Sequence, residues 1–326
     1  MMAVLNNIEA LNQALMQMME ADDTIIVFGE DSGFEGGVFR ATKGLQEKFG
    51  KERCFDTPLT EAGIVGSGIG MAITGLKPVA EIQFQGFVFP AMNQIMIHAA
   101  RMRNRSRGRF TVPMVIRMPY GGAVRALEHH SESIEALFAH IPGLKVVIPS
   151  NPYDTKGLMI SALKDPDPVI FLEPKRLYRA FKQEIPDEMY DVPIGKARIM
   201  QEGEDITVVA WGAMVPECQK ALEILKEKKI SVELIDLRTI SPIDRETVAE
   251  SVKKTGRFLV VHEAVKSFGV GAELISIVNE KAFLSLEAPP GRLTGFDITV
   301  PLAKGEHHFI ITPEKIADKV MEIINF

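Results

Sequence analysis

The chain has 326 residues, of which 46% are hydrophobic and 25% charged, and its formal net charge is −6 at pH 7. This length predicts about two domains, each large enough to bury a core. The negative charge gives no electrostatic case for binding nucleic acid or an anionic membrane surface. No run of 18 apolar residues is present, so no segment is expected to span a membrane.

The cysteine and basic residues indicate a cellular compartment. Cys54 and Cys218 are far apart in the sequence and match no metal-binding or redox spacing. Unpaired cysteines are typical of a reducing compartment. No Lys or Arg precedes Arg40, which argues against a signal or transit peptide. We therefore expect a cytoplasmic protein.

The N-terminal half alternates helix and strand patterns. Apolar residues at helical spacing from Val4 to Met18 predict an amphipathic helix, and residues 25–28 predict a strand that ends at Glu30 and Asp31. Ser131 is a suitable cap for a helix that runs through Ala139. The other predicted strands of this half are 79–84, 114–118, 146–149 and 169–173, and the other predicted helices are one through Leu45, 89–105 and 153–164.

Residues 56–76 contain the most unusual pattern. Pro58 favours extended backbone before it, and Thr60 is a suitable N-cap for a helix that begins at Glu61. Residues 62–76 carry no charge and are rich in small residues, which predicts a helix that is buried on all sides. Glu61 would then complement the helix dipole or, in the sharper interpretation, act as a buried carboxylate in proton transfer.

The periodicity lapses in a polar connection between 174 and 196. We therefore predict a first domain over 1–180, a linker over 181–195 and a second domain over 196–326. Strands are predicted at 206–211, 232–236 and 258–262, and helices at 215–226, 244–254, 271–281 and from 313 onward. The alternation predicts an α/β fold with two doubly wound, mostly parallel sheets.

Short catalytic motifs are scarce. The sequence has no Walker loop, no Gly-x-Ser-x-Gly elbow and no His-Glu-x-x-His site. Gly66, Gly68 and Gly70 lie within a predicted helix, where close packing explains them better than dinucleotide binding does. The spacing of His129, His130 and His140 matches no metal site. His130 follows a glycine-bearing loop and precedes a helix start, a position that projects into a cleft, although a plain surface histidine is the simpler interpretation.

Several segments in fixed order are more specific than any of these motifs. They include GGVFR at 36–40, DTPLTEAGIVG at 56–66, AEIQFQGFVFPAMNQI at 80–95, HHSES at 129–133, PVIFLEPKRLYR at 168–179, VELIDLRTISPID at 232–244 and KTGRFLVVHEA at 254–264. Over essentially its whole length, the chain resembles the beta subunit of the thiamine-diphosphate-dependent decarboxylating component of 2-oxo acid dehydrogenase complexes. The resemblance implies a transketolase-like pyrimidine-binding domain followed by a transketolase C-terminal domain.

The resemblance also implies roles for individual residues. Glu61 would hydrogen-bond the aminopyrimidine ring of thiamine diphosphate and favour its imino tautomer, whose nitrogen removes the proton from the thiazolium carbon. Leu59, Gln83 and Phe87 would line the aminopyrimidine pocket. His130 would assist reductive acylation of the lipoyl group on the dihydrolipoyl acyltransferase.

One family motif is missing. The diphosphate and magnesium motif, Gly-Asp-Gly followed by Asn-Asn, is absent from the sequence. The resemblance therefore implies that an alpha subunit holds magnesium and the diphosphate, in an alpha2-beta2 heterotetramer that is inactive as an isolated beta chain. It further implies a structural potassium ion at Ala162, Asp165 and Asp167, bound mostly by backbone oxygens.

Departures from the family pattern leave the substrate open. Arg125 stands where the family usually has His, and Glu132 where it has Gln. Segments 173–179 and 294–297 resemble branched-chain members more than pyruvate members. An acetoin-cleaving relative has the same subunit plan. A single-chain transketolase-like enzyme is disfavoured because the diphosphate motif is missing. A non-catalytic subunit, such as half of an electron-transfer flavoprotein, is another alternative, in which Glu61 would serve only as a helix cap.

Overall fold

The computed structural model describes every residue from Met1 to Phe326, and the chain forms two compact units. The first unit comprises Met1–Tyr120 and Leu137–Ile194, and the second comprises Gly121–Ala136 and Gly195–Phe326. The segment Gly121–Ala136 thus groups with the C-terminal half, although the sequence places it inside the first predicted domain. The boundaries 1–180, 181–195 and 196–326 stay a prediction.

The first unit contains a parallel sheet of six strands and a separate antiparallel pair. Its strands are β1 (Met2–Leu5), β2 (Ile25–Gly29), β3 (Cys54–Asp56), β4 (Lys77–Glu81), β5 (Val115–Tyr120), β6 (Lys145–Val147), β7 (Val169–Pro174) and β8 (Gln183–Pro186). Within this unit the sheet order is β6-β7-β5-β4-β2-β3, with parallel neighbours throughout. β1 pairs antiparallel with β8.

Helices alternate with these strands along the chain. They are α1 (Asn7–Ala21), α2 (Leu45–Phe49), α3 (Glu61–Ile73), α4 (Met102–Arg105), α5 (Glu135–Ala139) and α6 (Pro152–Lys164). α1 begins with a capping box, in which Asn6 and Glu9 satisfy each other's backbone N–H groups. Its apolar face, including Leu11 and Leu15, joins the core with α6. Burial of this face supplies the hydrophobic free energy that holds the helix in place.

Two predictions of local structure between residues 89 and 139 are wrong. The helix predicted over 89–105 is interrupted, because a 3₁₀ turn with Pro90 in its first turn (Phe89–Ala91) and a π-helical turn (Gln94–Ala99) precede the short α4. Ser131 does not cap a helix: its buried hydroxyl donates to the Leu127 carbonyl at 3.1 Å, and α5 begins four residues later.

The second unit repeats the α/β plan. Its strands are β9 (Arg198–Gln201), β10 (Ile206–Ala210), β11 (Val232–Asp236), β12 (Thr239–Ser241), β13 (Phe258–Val265) and β14 (Gly291–Gly295). Its helices are α7 (Met214–Glu227), α8 (Arg245–Thr255), α9 (Val270–Ala282), α10 (Glu306–Phe309) and α11 (Pro313–Ile324). The sheet order is β14-β13-β10-β11-β9, and only β9 runs antiparallel to its neighbour. The predicted fold class is confirmed, and no helix is long and apolar enough to cross a membrane.

Helix α3 is buried on one face rather than on all sides. Ile64, Val65 and Ile69 are buried, and a Cβ at Gly68 would lie 2.5 Å from Met114 Cε, so a side chain there would displace the end of Met114. The opposite face is exposed and consists of the small residues Gly63, Ser67 and Gly70. The expectation of complete burial is therefore wrong for the isolated chain, which leaves a flat face of small residues open.

Candidate active site

Glu61 is the first residue of α3, a few residues after the end of β3. It is buried, with 8% of its surface exposed, and its carboxylate makes no hydrogen bond or ion pair within the chain. Thr60 occupies the N-cap position without a side-chain capping bond. An acid that only complements the helix dipole needs no burial. The Glu61 carboxylate is therefore free to accept a hydrogen bond from a ligand at this largely buried position.

The sheet brings other polar residues to the same edge. β2 pairs in parallel with both β3 and β4, so the carboxyl ends of these three strands lie together. Glu30 follows β2, Glu61 follows β3, and Gln83 follows β4. Ligands of open α/β sheets bind beyond the carboxyl ends of the strands. This edge of the first unit is therefore the candidate cofactor site.

Glu30 is a second acid at this edge. Burial raises its pKa to about 7, and the negative charges of Glu61, Asp31 and Glu81 add to the shift. Such a carboxyl group can take up or release a proton near neutral pH. The sequence places Glu30 at a strand end but assigns it no chemistry. The order of the strands explains the raised pKa, because it brings Glu30 close enough to Glu61 for the two charges to interact.

The three other predicted cofactor residues differ in their surroundings. Gln83 is half-buried, and its Nε2 donates to Asp31 Oδ2 at 2.8 Å, which orients the amide. Phe87 is half-buried, and its ring packs edge-on against Phe84 with 5.5 Å between centroids. Leu59 is 78% exposed and packs into no wall within this chain. Gln83 and Phe87 thus present an amide and a ring whose positions are fixed by neighbouring side chains.

A buried ionic network lies on the strands beside the same edge. Arg117 on β5 donates from Nε and Nη2 to the two carboxylate oxygens of Glu173 at 2.6 and 2.7 Å, and its Nη1 bonds Glu81. Tyr178 donates to Glu173 at 2.5 Å. Burial raises the pKa of Glu81 despite the opposing charge of Arg117. This network was not predicted from the sequence, although each of the three apolar strands β4, β5 and β7 carries one of its charged residues.

The structure places His130 in the other compact unit from Glu61. It ends a 3₁₀ turn (Glu128–His130), in which its N–H donates to the Leu127 carbonyl at 2.9 Å. His130 is half-buried, whereas the neighbouring His129 is exposed beside Glu128. The half-buried position and the defined turn give His130 a fixed setting that a freely exposed histidine lacks.

Glu135, at the end of the same segment, is buried against the only tryptophan of the chain. Trp211 Nε1 donates to Glu135 Oε1 at 3.3 Å. Burial raises the pKa of Glu135 from 4.5 to about 7, and the charge of Glu263 adds to the shift. The folded protein therefore keeps this carboxyl group protonated at pH values where the unfolded chain has released the proton.

We expect Glu135→Gln to flatten the pH dependence of stability. Between pH 4.5 and 7 the folded state holds a proton that the unfolded state lacks, so the free energy of unfolding falls as pH rises. Glu135 alone lowers the free energy of unfolding by about 3 kcal/mol between pH 4.5 and 7. Urea unfolding followed by Trp211 fluorescence from pH 5 to 8 measures the slope. An unchanged slope in Glu135→Gln contradicts the assignment, and Glu223→Gln, at an exposed position on α7, is the matched control.

The predicted potassium residues fit a cation only through their backbone. The Asp165 carboxylate pairs with Lys145 at 2.5 Å, and that of Asp167 pairs with Arg103 at 2.6 Å. The Ala162 carbonyl accepts a bond from the Asp165 N–H at 3.3 Å. Both carboxylates are already neutralised, so backbone carbonyl oxygens remain as ligands. Elsewhere, no group of three or more His, Cys, Asp and Glu side chains is arranged to hold a metal ion.

Comparisons with known proteins agree with this fold. Residues 4–180 match the family "Transketolase, pyrimidine binding domain", and residues 195–316 match "Transketolase, C-terminal domain". A "Pyruvate dehydrogenase E1 component subunit beta" of Acholeplasma laidlawii is 65% identical and covers 99% of this chain and 98% of its own. The Mycoplasma genitalium protein of the same name is 56% identical, with 98% of each chain covered. A solved "Split gene transketolase, inactive beta4 tetramer" shares the fold, with a TM-score of 0.79, 21% identity and coverage of 98% and 99%.

The two matched domains define a transketolase-like protein. Within that class, the chain belongs to the family of beta subunits of the decarboxylating component of 2-oxo acid dehydrogenases, a family that implies thiamine diphosphate. The family and the enzyme class predicted from the ordered segments are confirmed. The roles assigned to Leu59, Glu61, Gln83, Phe87 and His130 stay predictions.

Proposed function

We propose that this chain is the beta subunit of a pyruvate dehydrogenase decarboxylating component. With an alpha subunit, it would decarboxylate pyruvate and transfer the acyl group to the lipoyl-lysine of a dihydrolipoyl acyltransferase. The observation that carries the proposal is the buried Glu61 carboxylate, which has no partner within the chain. The names of both relatives favour pyruvate over a branched-chain substrate. The branched-chain preference drawn from 173–179 and 294–297 finds no support in them.

The residues at the sheet edge fit the aminopyrimidine end of thiamine diphosphate. Glu61 supplies a carboxylate for a ring nitrogen, Phe87 a ring for stacking, Gln83 an oriented amide and Leu59 an apolar side chain. The bound cofactor supplies a carbon nucleophile and an electron sink, which protein side chains lack. Glu61, which is 8% exposed, holds and exchanges a proton at its carboxylate.

An alpha subunit is required for the other end of the cofactor. The sequence has no motif for the diphosphate, so we assign the diphosphate and magnesium to the partner chain. The exposed face of α3 formed by Gly63, Ser67 and Gly70 supports a partner contact, because small side chains allow close backbone approach. We propose an alpha2-beta2 heterotetramer in which each active site needs both kinds of chain.

His130 is assigned to the acyl transfer step. When the lipoyl disulfide accepts the acyl group on one sulfur, the other sulfur leaves and needs a proton. The His130 imidazole is proposed to donate that proton. Its setting in a hydrogen-bonded turn supports this role, because a general acid must be held within hydrogen-bonding reach of the atom that it protonates.

Two further assignments complete the proposal. A structural potassium ion is proposed at the backbone oxygens of Ala162, Asp165 and Asp167. A cytoplasmic location is proposed because Cys54 and Cys218 are buried free thiols, which suits a reducing compartment.

The proposal is tested by co-expressing the chain with its alpha subunit. We expect 2-oxo acid decarboxylation with thiamine diphosphate and magnesium in the pair and none in the isolated chain. In a second assay that follows acyl transfer to a lipoyl domain, pyruvate is expected to give a higher kcat/KM than 2-oxoisovalerate or acetoin, which is cleaved without decarboxylation. Turnover by the isolated chain would rule out a shared site. A higher kcat/KM for either of the other two compounds would reassign the substrate.

A further inference from the structure

The segment that carries His130 has an unusual backbone. Gly121, Ala123 and Arg125 adopt φ angles of +88°, +62° and +56°. The left-handed region suits glycine but strains Ala123 and Arg125, whose Cβ atoms crowd the backbone there. Such strain persists only where surrounding contacts hold the chain in place, and it concentrates at functional sites. The contacts that hold this segment therefore bear on the position of His130.

Two glutamates of the second unit hold the strained stretch through its backbone. Glu306 on α10 is 3% exposed, and its Oε2 accepts the Arg125 N–H at 2.9 Å. Glu263 on β13 accepts the Gly122 N–H at 3.1 Å through Oε2. The φ of +88° favours glycine at position 121, and a Cβ there would lie 2.8 Å from Glu263 Oε1, so a side chain would displace the Glu263 carboxylate. Backbone bonds to a carboxylate are charge-assisted and stronger than bonds between neutral groups.

Hydrogen bonds within the segment connect the anchored residues to His130. The Gly121 N–H donates to the Glu132 carbonyl at 2.8 Å, which closes the segment at its base. Within it, the N–H of His130 and the hydroxyl of Ser131 both donate to the Leu127 carbonyl. The turn around His130 is therefore tied to the residues that the two glutamates fix.

We propose that Glu306 and Glu263 are positioning residues for His130. They belong to the C-terminal unit and set the place of the histidine turn without touching substrate themselves. The inference rests on the proposed role of His130 in acyl transfer. It predicts that loss of an anchor slows lipoyl acylation selectively, because decarboxylation depends on the Glu61 edge of the first unit.

The test compares two partial reactions in the complex with the alpha subunit. Decarboxylation is followed with an artificial electron acceptor, and acylation by mass spectrometry of a lipoyl domain. For Glu306→Ala, we expect kcat for acylation to fall by at least about tenfold, because a small misplacement of a reacting group is costly. Decarboxylation should change by less than about twofold. Glu306→Gln keeps an oxygen acceptor and should retain most acylation, and Glu223→Ala is the surface control.

A double variant and a structural readout separate positioning from a general loss of stability. In His130→Ala, the further change Glu306→Ala should cost little, because both act on the same step. Hydrogen exchange of the isolated chain should show faster exchange across 121–136 in Glu306→Ala and unchanged exchange at the Glu61 edge. If Glu306→Ala does not assemble, Gly121→Ala perturbs Glu263 instead and should give the same pattern.

The outcomes distinguish this inference from the proposed function. A wild-type complex that does not acylate a lipoyl domain overturns the proposed function, and hydrogen exchange then still decides whether Glu306 anchors the segment. Normal acylation and exchange in Glu306→Ala overturn the positioning role. An equal loss of both partial reactions overturns it as well, since a general structural effect then explains the result.

Discussion

Glu61→Gln is expected to lower decarboxylation by at least about 100-fold in the complex with the alpha subunit, because positioned proton transfer contributes factors of this size. Glutamine keeps the shape of the side chain and one acceptor oxygen, but it cannot exchange a proton. Affinity for thiamine diphosphate should fall much less, since the diphosphate end is assigned to the partner chain. Steady-state kinetics with pyruvate and cofactor titration by calorimetry measure the two effects separately.

The same substitution should stabilise the isolated chain. The negative charge of Glu61 adds to the raised pKa of Glu30, and an amide of the same shape removes this repulsion between neighbouring acids. The melting temperature of Glu61→Gln should therefore rise while activity is lost, as is common where a functional group is retained at the expense of stability. Glu47→Gln, at an exposed position on α2, is the matched control and should change neither property. Activity near the wild-type level in Glu61→Gln would exclude the proton-transfer role.

Local patterns predicted much of the first unit. Alternating strand and helix patterns gave the α/β class and most element positions, and the N-terminal location of Glu61 on α3 followed from Thr60 and the apolar run after it. These features depend on neighbours within a few residues. They can therefore be derived from one sequence without knowledge of which strands are adjacent.

Features that depend on distant partners were not predictable in this way. β8 is a strand because it pairs with β1, some 180 residues earlier in the chain. The raised pKa of Glu30 arises because strand order brings Glu61 and Glu81 near it. The grouping of 121–136 with the second unit depends on contacts with Glu263 and Glu306. In each case the information lies in tertiary pairing, which periodicity does not carry.

Arg117→Met is expected to destabilise the first unit by about 3–5 kcal/mol, because removing one partner of a buried ionic network leaves the others uncompensated. Arg117 is 1% exposed and bridges Glu173 and Glu81. Without it, two buried carboxylates would face each other in an apolar sheet. Urea unfolding followed by far-UV circular dichroism measures the loss. Lys164→Met, which breaks an exposed pair with Asp191, should cost less than about 1 kcal/mol.

The variant also tests whether the network supports the cofactor edge. Glu81, Arg117 and Glu173 lie on the neighbouring strands β4, β5 and β7, and Gln83 follows β4 directly. A loss confined to stability, with unchanged thiamine diphosphate affinity at temperatures where the complex stays folded, would make the network purely structural. Arg117→Met combined with Glu81→Gln and Glu173→Gln should recover part of the lost stability, because neutral amides remove the uncompensated charges. If thiamine diphosphate binding is still weakened in this triple variant, the charged side chains of the network are needed to orient the segment that carries Gln83.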